Sequence, residues 1–303
     1  MRITGKIFGV IENYLFSWLD KMDVPGAGLF DYISFRAAMS VITALILSTL
    51  IGKKIIGYLQ KQQVGELVRD LGLEGQLRKQ GTPTMGGLII LASILVPTLL
   101  FAKIDNIYVI VLIVTTVWMG LIGFVDDYIK VFKHDKKGLA GRFKVAGQLV
   151  LGIIVALVMF FHPDVVTGEK VATAGGPSVI TTSDNTVLGE ETVSHYKTEK
   201  TTQTTIPFVK GNDFDYKSWI SWMGPGAHRW TWLAFLIVVT LIIISVSNGA
   251  NITDGLDGLS AGTSAIAAVT LGILAYVSSH YSIANYLNIM YLPNTEELTV
   301  FIA

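Results

Sequence analysis

The sequence predicts an all-α, polytopic integral membrane helix bundle with one hydrated, extracytoplasmic insert that carries β-signals. Three observations carry that prediction. Of the 303 residues, 51% are hydrophobic and 15% charged, against about 25% charged in soluble domains, and mean hydropathy is +0.55. Apolar runs of membrane-crossing length recur, about six to seven of them where a span needs about 20 residues. Short polar segments separate them, except for residues 162–229, rich in Thr, Ser, Gly and Asp with Val/Thr alternation. There are no cysteines, which excludes disulfides and thiolate metal sites and leaves Asp, Glu, Asn and His as ligands. A formal net charge of zero gives no reason to expect nucleic acid.

Residues 1–31 place Ile3, Ile7, Val10, Ile11, Tyr14, Leu15, Trp18 and Leu19 at helical spacing, the pattern of an interfacial amphipathic helix ended by Pro25 and Gly26. No clean apolar core or cleavage site follows Arg2 and Lys6, so a cleaved signal peptide is not expected. Residues 32–161 hold four spans, at 33–51, 88–102, 107–125 and 145–161, and residues 230–303 hold two more, at 230–247 and 261–277, with the opening of a seventh. The first span is expected to close at Gly52-Lys53-Lys54. The second is short, and the breaker-rich Gly81-Thr82-Pro83-Thr84-Met85-Gly86-Gly87 is expected to enter the membrane ahead of it.

Positive charge orients the bundle. The connections after spans one and three each carry six Lys and Arg residues, those after spans two and six one and none. The two basic loops therefore face the cytoplasm, and the N-terminus and the long insert face outward. One consequence matters most. Thr82-Pro83-Thr84, Asp126-Asp127 and the stretch from Asn251 to Asp257 all fall on the cytoplasmic side.

Asp126 and Asp127 are adjacent carboxylates at the end of a span. They repel when both are ionised and are poorly solvated there, and a cation, most simply a divalent metal, relieves both problems. Asn251, Asp254 and Asp257 are spaced by three and share one face if helical. Four carboxylates and a carboxamide opposite a loop holding Lys130, Arg142 and Lys144 match what a magnesium-bound diphosphate requires. There is no Walker loop, no Gly-x-Gly-x-x-Gly and no His-Glu-x-x-His. Taken singly, each piece has a plainer reading: a solvated helix terminus, a turn, a topology determinant that binds anionic headgroups. Together on one membrane face they point to phosphoryl transfer at a bilayer surface.

Three stretches in order carry a resemblance: Gly81-Thr82-Pro83-Thr84-Met85-Gly86-Gly87, then Gly123-Phe124-Val125-Asp126-Asp127-Tyr128 with Lys130 and Gly138-Leu139, then Asn251-Ile252-Thr253-Asp254-Gly255-Leu256-Asp257-Gly258-Leu259. They resemble the phospho-N-acetylmuramoyl-pentapeptide transferase family, within the polyprenyl-phosphate N-acetylhexosamine-1-phosphate transferase superfamily, over most of the chain except 162–229. The resemblance implies a ten-helix protein of the bacterial inner membrane with outward termini. It implies transfer from UDP-N-acetylmuramoyl-pentapeptide to undecaprenyl phosphate, with Mg2+, giving lipid I and UMP for peptidoglycan synthesis. It makes Asp126 and Asp127 catalytic, deprotonating or positioning the lipid phosphate near the metal. Asn251, Asp254 and Asp257 line the nucleotide and metal region, so that Asp126, Asp127, Asn251 and Asp254 are the candidate metal ligands. Lys79 and Thr84 fall in the cytoplasmic cleft, and Lys130, Arg142 and Lys144 hold diphosphate or lipid phosphate. The expected partners are the two substrates, the bilayer and a second copy of the chain in a homodimer.

Two departures stand beside the resemblance. The family pattern continues with a Gly-Asp-x-Gly-Ser segment, whose Asp is a metal ligand, and a His-rich loop, neither of which occurs before Ala303. The chain alone is therefore expected to be inactive. The insert is also longer than the family's outer loop. Two other functions stay open: a sibling that transfers N-acetylglucosamine-1-phosphate, and a cation-coupled transporter, against which counts the position of every Asp of interest at a span end.

Overall fold

The computed structural model describes residues 26–61, 85–133, 138–170, 196–205, 213–224, 226–254 and 258–303. Its principal helices are α1 (Ile33–Lys61), α2 (Gly87–Phe101), α3 (Ile107–Phe132), α4 (Gly141–Phe161), α6 (Thr231–Thr253) and α7 (Leu259–Ser279), with the short α5 (Tyr216–Ile220), α8 (Tyr281–Tyr286) and α9 (Glu297–Ile302) between or after them. Five of the principal helices are long and apolar enough to cross a membrane. The exception is α2, whose 15 residues extend only about 22 Å at 1.5 Å per residue. The expected amphipathic helix lies mostly outside the described residues; Ala27–Asp31 form a 3-10 turn leading into α1.

Every long helix outruns its apolar run. Helix α1 continues through Gly52-Lys53-Lys54 to Lys61, so the expected closure at residue 52 does not occur. Gly52 is buried against Ile89 of α2 and acts as a contact point rather than a stop. Likewise α3 carries Asp126 and Asp127 within a helix that ends at Phe132, and α4 begins at Gly141, which takes Arg142 and Lys144 out of the loop and into the first helical turn. Lysine and arginine stems reach out of the apolar layer and let the backbone stay helical beyond it.

The pairings of α4 with α6 and of α1 with α2 are the most extensive. The first is so close that a Cβ added at Gly152 would stand 2.9 Å from Thr240 Cα, a backbone atom that cannot give way. Between α4 and α6, the insert contributes two antiparallel ribbons: β1 (Thr167–Lys170) with β2 (Tyr196–Glu199), and β3 (Gln203–Thr205) with β4 (Asp213–Asp215). Asp215 caps α5 through the Lys217 N–H at 2.9 Å. Helix α5 then packs on the first turns of α6 through Tyr216, Ile220, Ala227, Ala234 and Phe235. The described part of the insert therefore sits at the end of the bundle where α4 finishes and α6 starts.

That end also holds a tight, buried polar cluster. Arg36, buried near the start of α1, donates two hydrogen bonds to Glu297, from Nη1 to Oε2 at 2.7 Å and from Nη2 to Oε1 at 2.6 Å, and a third to the Phe101 carbonyl at 3.0 Å. The Lys103 N–H donates to Glu297 at 3.0 Å. One carboxylate thus joins the starts of α1 and α9 to the finish of α2.

Candidate active site

At the opposite end, α1, α3 and α6 finish while α2, α4 and α7 start. Asp126 sits a turn and a half before the finish of α3 and is 7% exposed. Both oxygens of its carboxylate are engaged. Oδ2 accepts from Lys130 Nζ at 2.7 Å, and Oδ1 accepts from Lys144 Nζ at 2.9 Å and from the Leu139 N–H at 2.8 Å. The Asp126–Lys130 spacing of four puts both on one helix face. Lys144 comes across from the first turn of α4, and the Leu139 N–H from the turn that joins the two helices. Gly138 makes that turn possible, with φ +64° and so little room that a Cβ would lie 2.5 Å from Asp126 Oδ1 and 2.7 Å from Lys130 Cε.

Asp127 is half-buried and is rotated about 100° from Asp126 around the helix. Arg142 is exposed, its guanidinium 5.1 Å from the centre of the Phe143 ring. With Lys133 exposed as well, the described residues at this end of α3 and α4 include four cations and two carboxylates.

An amide pair, buried Gln148 and half-buried Asn248, ties α4 to α6 at a fixed register. Gln148 Nε2 donates to Ser247 Oγ at 2.9 Å, and Asn248 Nδ2 donates to Gln148 Oε1 at 2.8 Å and to the Ile244 carbonyl at 2.8 Å. Because the helices run antiparallel, Lys144, one turn before Gln148, stands level with Asn251, almost one turn after Asn248. Asn251 is exposed on the last turn of α6 and Asp254 is its exposed C-terminal cap. Helix α6 ends at Thr253 and α7 begins at Leu259 behind Gly258 at φ +78°, and the expected common face of Asn251, Asp254 and Asp257 falls partly outside the described residues. Asp257, Lys79 and Thr84 lie outside the described residues. Met85, next to Thr84, is buried with Leu59, Ile55 and Val131 at φ +71°. Its side chain packs the entry to α2 against the finishes of α1 and α3.

The implied Mg2+ can be tested against these donors. Among the described residues no three His, Asp or Glu side chains group to hold a metal ion, and both oxygens of Asp126 already serve ammonium and amide donors. Taken alone, the described residues do not fit a metal centre. Two lysine ammoniums offset the Asp126 charge directly. Sequence reasoning missed Gln148, Ser247 and the Leu139 N–H. For Gln148 the signal was a carboxamide inside an apolar run, where polar groups need internal partners.

Comparisons with known proteins give the family. A model of glycosyl transferase family 4 matches residues 191–294, and phospho-N-acetylmuramoyl-pentapeptide-transferase signature 1 matches residues 79–91. Proteins named phospho-N-acetylmuramoyl-pentapeptide-transferase are similar over nearly the whole chain. That of Parabacteroides distasonis is 54% identical over 96% of this chain and 67% of its own length. That of Flavobacterium johnsoniae is 55% identical over 96% and 70%, and that of Flavobacterium psychrophilum 55% over 96% and 69%. The chain belongs to the phospho-N-acetylmuramoyl-pentapeptide-transferase family.

Proposed function

We propose that the protein transfers phospho-N-acetylmuramoyl-pentapeptide from its UDP-activated form to undecaprenyl phosphate, giving lipid I and UMP for peptidoglycan synthesis. The site is assigned to the cytoplasmic face of the bacterial inner membrane, with the N-terminus outward. The observation that carries this reading is the pair of ammoniums, Lys130 and Lys144, drawn together at the end of the bundle that also holds Asn251 and Asp254. Such an arrangement suits phosphate oxyanions, and its place at a helix end suits a substrate whose tail stays in the bilayer.

An oxygen of the lipid phosphate attacks the sugar-proximal phosphorus, the new P–O bond forms, and the bond to the UMP oxygen breaks with its electron pair leaving on UMP. A phosphate monoester has its second pKa near about 6, so the nucleophile is mostly ionised already and needs little help from a general base. What the protein supplies is position and countercharge. Lys130, Lys144 and Arg142 hold phosphate oxygens, Asp127 stands beside the lipid phosphate, and Asn251, Asp254 and Asp257 take the nucleotide, with Lys79 and Thr84 in the same cleft. Mg2+ dependence belongs to the same reading, and a full ligand set would need carboxylates beyond Asp127, Asn251 and Asp254.

The test is UMP release by the full-length protein given undecaprenyl phosphate and, in parallel, UDP-N-acetylmuramoyl-pentapeptide or UDP-N-acetylglucosamine. UMP from the muramoyl substrate alone is expected. UMP from the N-acetylglucosamine donor alone would move the protein to the sibling activity, and cation flux in proteoliposomes without UMP would make it a transporter.

A further inference from the structure

We propose that Asp126 is a positioning residue that binds no metal: its buried carboxylate gathers the Lys130 and Lys144 ammoniums into one clamp for a phosphate oxyanion. The ligand is a lipid phosphomonoester or the diphosphate of a nucleotide sugar. The inference rests on the transferase reading and gives one of its residues a different task.

The valence of the carboxylate carries the argument first. Oδ1 accepts two hydrogen bonds and Oδ2 one, at 2.7 to 2.9 Å, and charge-assisted contacts of that length are the strong ones. A Mg2+ ion bonds oxygen at about 2.0–2.1 Å, which would set a divalent charge against an ammonium already on the same carboxylate. Gly138 closes another approach. Its Cα lies so near that even a methyl group would overlap Oδ1 and Lys130 Cε, so the turn is laid directly on the carboxylate.

The exposures then divide the labour. The Asp126 side chain is 10% exposed, whereas those of Lys130 and Lys144 are 44% and 30% exposed. The anion is inside, Lys130 is exposed and Lys144 is half-buried, and the two ammoniums with the one carboxylate sum to one unit of positive charge. A phosphate is attracted to that charge and a metal cation is repelled by it. The two lysines come from different helices, and without the shared carboxylate like charges would separate. Asp126 therefore acts on the ligand through Lys130 and Lys144.

The experiment compares wild type, Asp126→Asn, Lys130→Met, Lys144→Met and Gly138→Ala as full-length protein in lipid nanodiscs. Mn2+ binding without substrate is followed by loss of the free-ion spin-resonance signal. Binding of UDP-N-acetylmuramoyl-pentapeptide and, separately, of a short-chain polyprenyl phosphate is measured with chelator present. For Asp126→Asn, Mn2+ affinity within about twofold of wild type is expected, while at least one phosphate ligand weakens about tenfold or more, the loss of a charge-assisted contact. The ligand that weakens identifies the source of the phosphate. Gly138→Ala is expected to weaken the same ligand, because it retains all three charged groups but unseats the carboxylate. Combining Asp126→Asn with Lys130→Met is expected to weaken binding no further than Lys130→Met alone.

A tenfold loss of Mn2+ affinity in Asp126→Asn, or phosphate affinities unchanged in both Asp126→Asn and Lys130→Met, would overturn the inference. Should Asp126→Asn fail to fold, the lysine variants decide. A metal-ligand role requires Mn2+ to bind more tightly once an ammonium is removed, whereas the clamp requires Mn2+ binding unchanged and phosphate binding weakened. The transferase reading itself fails in a different way: wild type then binds neither phosphate ligand and releases no UMP.

Discussion

The two ends of the bundle each hold a buried carboxylate surrounded by cations, and they are built for different purposes. Glu297 is held bidentately by Arg36, with both residues almost completely buried. The planar guanidinium matches the carboxylate oxygen for oxygen, and the described contacts of the pair bind helix to helix. Asp126 is held by two lysines whose heads reach solvent. An ammonium has three donors and can give one to Asp126 while keeping the others for a ligand. At one end a carboxylate and its cations close on each other, and at the other a carboxylate organises cations for something else.

The largest effect expected is at the closed end. Glu297→Gln leaves the Arg36 charge buried without its counter-ion, a change that costs about 3–5 kcal/mol. Thermal unfolding in detergent should fall accordingly, while UMP release measured at low temperature persists. Next is Lys130→Met at the open end. It removes a countercharge felt most in the transition state, so UMP release should drop about 10²-fold or more, with the unfolding midpoint nearly unchanged because a half-exposed ion pair adds about 1 kcal/mol or less. An equal loss of stability in both variants would erase the distinction. The smallest effect is at Gln148→Leu, which strands the Asn248 and Ser247 partners for about 1–3 kcal/mol. It also frees α4 to slide on α6, so the KM for the nucleotide sugar should rise more than kcat falls. A drop in kcat alone would show that the register of Lys144 against Asn251 does not matter.

Much of this was legible in the residues and some was not, for definite reasons. Hydropathy locates the bilayer, so the runs near 107–125 and 230–247 correctly announced α3 and α6. It does not locate helix ends, which depend on caps and breakers. That is why Lys53-Lys54 failed to stop α1, while Gly258, a residue able to take positive φ, stands at the start of α7. The shared end of Asp126, Lys144 and Asn251 followed from alternating spans alone. The Asp126–Lys130 contact was legible too, as an acidic residue four positions before a lysine. Lys144 and the Leu139 N–H were not, because their meeting at Asp126 depends on a turn that only the backbone at Gly138 reveals. That two lysines meet at Asp126 became visible only in the side-chain geometry.

The contrast between the two ends is tested most directly by one paired measurement on the full-length protein: UMP release from UDP-N-acetylmuramoyl-pentapeptide and undecaprenyl phosphate at low temperature, alongside the unfolding midpoint, for Asp126→Asn and Glu297→Gln. The expected result is a crossed pattern, in which Asp126→Asn loses UMP release with little change in midpoint and Glu297→Gln loses midpoint while still releasing UMP. Near-normal turnover in Asp126→Asn, or loss of turnover in folded Glu297→Gln equal to that in Asp126→Asn, would contradict it.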